Sequence, residues 1–193
     1  MGFLSVLSFA HKLISERVQP GDIVVDATAG TGADTLFLAL AAGRRGKVFS
    51  FDIQPEALAL TRERLARENK GTLAEAVLLH SGHEYMLEVL PAETHGKIAA
   101  VMFNLGYLPS AVADSSVITR TPSTLEALEA AMQVLRPKGI ITAVVYPGHP
   151  GGSEEAAAVE RWASSLPSHA GQAVIYRQIQ RATAPYVIAV ERK

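Results

Sequence analysis

Residues 24–34 read Val-Val-Asp-Ala-Thr-Ala-Gly-Thr-Gly-Ala-Asp: an apolar run that ends in an acid, a glycine turn, and then a helix-like segment. Glycine has no Cβ, so a nucleotide-type ligand can lie against the backbone of such a turn, at the start of the helix. The next apolar run, 47–52, also ends in an acid, Asp52, where a carboxylate can hold ribose hydroxyls. From here apolar runs alternate with helical patterns. Residues 23–26, 47–52, 76–80, 98–104 and 139–145 predict strands, and 34–41, 55–69, 83–90 and 123–134 predict helices. The strand runs are apolar throughout, which suits parallel strands covered on both faces. Pro55 suits a first helical turn and Gly71 a stop, while Arg136-Pro137-Lys138-Gly139 reads as a turn that launches the next strand.

The tail changes pattern. Residues 153–164 predict a helix with a Ser-Glu-Glu start that can cap it, and 173–178 and 186–191 follow as strands without a helix between them, the mark of antiparallel pairing. Residues 3–17 predict an extra helix over the sheet. The expected fold is α/β and Rossmann-like: a mostly parallel seven-stranded sheet, helices on both faces, a C-terminal antiparallel hairpin, and one domain over 1–193. This is the layout of class I methyltransferases.

Bulk properties narrow the setting. The chain has 193 residues, enough for a substantial core, and 48% of them are hydrophobic. No apolar run approaches the ~20 residues that span a bilayer. Residues 3–14 are interrupted by Ser5, Ser8, His11 and Lys12 and lack a basic start and a cleavage site, so they do not read as a signal peptide. With no cysteine there is no disulfide, thiolate zinc site or cysteine nucleophile, and a cytoplasmic protein is expected. Eighteen basic against nineteen acidic residues give a net charge of -1, which argues against a nucleic-acid coat but leaves room for a local basic patch.

The glycine pattern discriminates between nucleoside cofactors. A dinucleotide fingerprint needs a third glycine, and counting from Gly30 and Gly32 that position is Thr35. Asp26 stands before the turn, where a carboxylate repels a pyrophosphate and suits a cationic amino-acid portion. S-adenosylmethionine, with an ammonium, a sulfonium and no phosphate, fits. Asp26 and the turn (Ala27, Thr28, Gly30, Thr31, Gly32, with Asp34 and Thr35) are then expected to serve the methionine end, directly or through water. Asp52 holds the ribose, Ile53 or Gln54 flanks adenine, and Ser81, Gly82 and His83 contact it past the third strand. Asn104, with Leu105, ends the fourth strand where donor and acceptor meet. An NAD-dependent oxidoreductase and a non-catalytic RNA-binding module are the rivals from other classes.

Three separated motifs carry a resemblance. Asp26-Ala27-Thr28-Ala29-Gly30-Thr31-Gly32 followed by Asp34-Thr35-Leu36, then Asn104-Leu105-Gly106-Tyr107-Leu108-Pro109, then Tyr146-Pro147-Gly148-His149 with Gly151-Gly152, resemble the putative rRNA methylase family over nearly the whole chain. His11 falls in an Ala-His-x-Leu-like segment of the same pattern. The chain departs from the family's usual residues at Thr31, Ala33, Ser81 and 110–116. The resemblance implies methylation of the aminomethyl group of 5-aminomethyl-2-thiouridine at the tRNA wobble position, with the anticodon stem-loop as partner. Methylation of rRNA or of a small amine is the alternative within the same chemistry.

Methyl transfer from a sulfonium needs an aligned acceptor and an excluded solvent more than it needs acid–base groups. An amine acceptor must be neutral, so an amide oxygen suits it better than a carboxylate. Asn104 is the expected catalytic residue, resembling the Asn-Pro-Pro-Tyr logic of amino-group methyltransferases. Tyr107 is expected to stack on a base, His149 to take a proton or contact substrate, Tyr146 to orient that loop and Arg120 to meet a phosphate. His80 and His83 lack an acid set to complete a metal site, and no metal is expected. A homodimer is compatible with the pattern.

Overall fold

The computed structural model describes residues 2–68, 70–106 and 118–193. Helix α1 spans Val6–Ser15 and is capped by Ser5, whose hydroxyl accepts from the Ser8 amide at 3.1 Å. Then follow β1 (Ile23–Asp26), α2 (Ala33–Ala42), β2 (Lys47–Asp52), α3 (Pro55–Glu68) and β3 (Glu75–His80). A 3₁₀ turn at His83–Tyr85 runs into a short α4 (Met86–Val89), ahead of β4 (Ile98–Asn104), α5 (Thr121–Val134), β5 (Leu135–Val145), α6 (Gly152–Ser165), β6 (Gly171–Tyr176) and β7 (Tyr186–Arg192).

The seven strands lie in the order β3-β2-β1-β4-β5-β7-β6. β1 pairs in parallel with both β2 and β4, so the strand order reverses beside it. A crevice opens at such a switch point, outside the carboxyl ends of the strands. In-register pairing of Asp52 with His80 and of Asn104 with Val144 brings those ends to one edge. Val24, Val48, Ala100 and Met102 pack with Ile14 of α1 and Leu38 of α2 on one face. Val25, Phe51, Val101 and Phe103 pack with Met86, Leu128 of α5 and Trp162 of α6 on the other.

The C-terminal antiparallel hairpin is present: β6 and β7 pair with each other, and β7 inserts between β5 and β6, antiparallel to both. Three other expectations change in detail. The segment 136–139 lies inside β5, which starts at Leu135 opposite Ile98 and absorbs the extra residues as a register shift, with Lys138 at φ 63°. The third helix is only a 3₁₀ turn plus one α-turn. Helix α6 begins on Gly151, in the left-handed region, with no side-chain cap from Ser153. Among the described residues no helix is long and apolar enough to cross a membrane.

Candidate functional site

The turn after β1 is held from both sides. Gly30 and Gly32 sit at φ 53° and 77°, a region that favours glycine. A Cβ on Gly32 would lie 2.7 Å from the Thr61 Cα. From α3, the Thr61 hydroxyl donates to the Gly30 carbonyl at 3.3 Å and Arg64 Nε to the Thr31 carbonyl at 2.7 Å. Asp26 is fully buried, and its carboxylate accepts from the Thr28 amide at 3.1 Å and the Thr35 hydroxyl at 2.6 Å. Burial, and then the neighbouring Asp34, push its pKa up to about 7.

Asp26, Thr35 and Gly32 build the turn from behind and do not themselves line the crevice. The acid that faces the crevice at this point is Asp34, in the first turn of α2, where the helix N-terminus favours negative charge. Asp34 and Asp52 are the aspartates that a pyrophosphate in the crevice would meet.

A cavity of about 1060 Å³ opens over the strand ends. Its wall includes Ala27, Thr28, Gly30, Thr31, Asp34, Asp52, Gln54, Ser81, His83, Asn104, Leu105, Arg120, Tyr146 and His149, all of them expected from sequence. Tyr107 lies outside the described residues. The Asp52 carboxylate accepts from the Gly30 amide and the Gln54 amide, both at 2.9 Å, one per oxygen. Each oxygen keeps a lone pair for a ribose hydroxyl. Burial holds the His83 imidazole below its usual pKa. The ring is therefore neutral, with Nδ1–H donating to the Ala27 carbonyl at 3.1 Å, which leaves Nε2 as an acceptor.

The far end of the cavity is a connected polar chain. Tyr146 donates its hydroxyl to Asn104 Oδ1 at 2.7 Å, and Asn104 Nδ2 points to Asp34 Oδ2 at 3.4 Å. His11 Nε2 meets Asp34 Oδ1 at 2.8 Å. Burial raises the Tyr146 pKa, so the phenol stays a donor. A donor on one side and a carboxylate on the other fix which way the Asn104 amide faces. The backbone amide of Asn104 also donates to Thr28 Oγ1 at 2.8 Å, tying β4 to the glycine turn.

His149 lies on the cavity wall. Its Nδ1–H donates to the Pro150 carbonyl at 2.9 Å, and Nε2 is buried; a Cβ on Gly152 would lie 2.8 Å from it. Sequence reasoning gave no role to Thr119 and Glu155. Thr119 Oγ1 accepts from the Gly106 amide at 2.9 Å and donates to the buried Glu155 at 2.7 Å, which also takes the Thr124 hydroxyl at 2.7 Å. The visible signal was a glutamate in the first turn of α6 on that helix's apolar side.

This donor set fits one class of cofactor. Asp34, Asp52 and Glu84 line the cavity, and Arg120 is the one lysine or arginine among its described lining residues. A dinucleotide's pyrophosphate finds repulsion here, whereas a nucleoside carrying a cationic amino-acid end finds partners at both ends. The volume leaves room for an acceptor beside it, pockets of ~300–1,000 Å³ being typical for single ligands.

The chain is similar to known proteins. Residues 48–191 match the family described as putative rRNA methylase. A tRNA (mnm(5)s(2)U34)-methyltransferase of Arabidopsis thaliana chloroplasts is 37% identical over 185 residues, 93% of this chain; the chain spans 66% of that relative's length. A solved structure of a putative rRNA methylase from Clostridium thermocellum superposes with a TM-score of 0.91 at 36% identity, covering 100% of both chains. A putative methyltransferase from Streptococcus mutans, solved in complex with SAH, gives 0.85 at 30% identity, again over 100% of both.

Proposed function

Because the chain belongs to the putative rRNA methylase family, we propose that it transfers a methyl group from S-adenosylmethionine to the aminomethyl nitrogen of 5-aminomethyl-2-thiouridine at the tRNA wobble position. The observation that carries this reading is the Asn104 amide at the cavity wall, oriented by Tyr146 and Asp34. Its Oδ1 has one lone pair on the tyrosine and one left for an amine N–H. That suits an acceptor that carries a donor hydrogen, as an amine does, and not a carbon. The name of the chloroplast relative, a tRNA (mnm(5)s(2)U34)-methyltransferase, supports the choice of nucleoside.

When bound, the cofactor supplies an electrophilic methyl carbon on a sulfonium. The protein's part is placement. Asp52 takes the ribose, Asp34 takes the amino-acid end, and the neutral His83 and Gln54 border the base. Asn104 Oδ1 accepts an N–H of the acceptor and turns the nitrogen lone pair toward the methyl. The nitrogen–carbon bond forms as the carbon–sulfur bond breaks; sulfur keeps the electron pair, and the acceptor ammonium yields one proton to water. The cavity-lining Arg120 suits an RNA phosphate at the rim.

Asn104→Ala tests the acceptor site. With S-adenosylmethionine saturating, the expected result is a loss of transfer to aminomethyl-bearing tRNA of about 100-fold, the scale of removing one positioned hydrogen-bonding group. A variant that methylates at the wild-type rate overturns the assignment of Asn104.

A further inference from the structure

Helix α1 precedes the sheet, yet one of its side chains reaches the site. His11 Nε2 lies 2.8 Å from Asp34 Oδ1, and the His11 ring stacks on Phe37 of α2 with centroids 3.9 Å apart and 9° between planes. The stack and the Ser5 cap leave the imidazole little freedom, and Ala10 and Ile14 anchor the helix in the core beside it. The Asp34 side chain is only 9% exposed, and its second oxygen faces Asn104. An aspartate in the first turn of a helix otherwise has local backbone amides to bond with. Here two side chains from distant parts of the chain draw it toward the cavity.

We propose that His11 is a positioning residue for the amino-acid end of the cofactor: it donates to Asp34 and aims that carboxylate at the α-ammonium. This rests on the S-adenosylmethionine reading but not on the identity of the methyl acceptor. Asp34 has the geometry for the task and Asp26 does not, since Asp34 lines the cavity while Asp26 is fully buried behind the turn. The N-terminal helix is thereby part of the cofactor seat as well as a cover for the sheet.

The test compares SAH with its deaminated analogue, which keeps the adenosine and the carboxylate but lacks the α-amino group. Calorimetry on the full chain needs no RNA, so its outcome is separate from that of the methylation assay. Wild type is expected to bind SAH at least about tenfold more tightly than the analogue. His11→Ala is expected to weaken SAH about tenfold and to leave the analogue's affinity unmoved. His11→Gln places an amide N–H at similar reach to Nε2 and is expected to restore SAH binding to within about twofold. Equal weakening of both ligands in His11→Ala marks a staple between helices and overturns the proposal. So does an unmoved SAH affinity, or a glutamine variant as weak as the alanine one.

Discussion

Two aspartates eight residues apart look equivalent in the chain, and their place relative to the crevice separates them. Asp26 closes β1 with its side chain in the interior; Asp34 opens α2 at the crevice. The sequence showed that an acid precedes the glycine turn, but only the packing shows which acid a ligand meets. His11 was still less legible, since its contact with Asp34 depends on where α1 lands. Asn104 and Asp52 were legible because a polar residue that ends a parallel strand points to the crevice wherever the strand is placed. The Asp26 pKa makes a stability prediction. Raised from its ordinary 3.8 to about 7, the folded chain keeps a proton that the unfolded chain loses between those values. Stability therefore falls as pH rises through that window and stays lower above it. Asp26→Asn, which stays neutral, is expected to flatten this slope; the check is the urea midpoint at about pH 5 and about pH 8. An unchanged difference between the two would show that Asp26 is ionised throughout.

At the scale of elements, continuous apolar runs bounded by glycine and proline placed every strand and nearly every helix. At β5, pairing overrides local turn chemistry. Pro137 and Gly139 signal a turn, yet β5 begins before them because Leu135 pairs with Ile98 and the extra residues bulge out. The place of β7 between β5 and β6 was not readable from segment order, because either arrangement satisfies antiparallel pairing. The glycine turn is the element on which the site depends. Gly32→Ala meets both a left-handed φ of 77° and the Thr61 backbone at 2.7 Å. It is expected to cost about 1–3 kcal/mol in stability and to weaken SAH binding. Melting and calorimetry check this; a variant with wild-type values for both would show that the turn tolerates a side chain.

For the molecule as a whole, the topology sets where chemistry happens and the donor set selects the cofactor. β1 flanked in parallel by β2 and β4 makes the crevice, and the acids around it favour a cationic nucleoside over a dinucleotide. Neither composition nor net charge names the acceptor: at -1 the chain has no overall attraction for RNA. That step rests on the three motifs, on the oriented Asn104 amide and on the reaction of the chloroplast relative. It is also the step most open to direct test. The decisive measurement is the wobble nucleoside composition of tRNA from cells with and without this chain, resolved by mass spectrometry. The account predicts that cells lacking it accumulate 5-aminomethyl-2-thiouridine and lose the methylated form, and that the wild-type chain, but not Asn104→Ala, restores it. Unchanged levels of both nucleosides in the absence of the chain would contradict the proposed substrate.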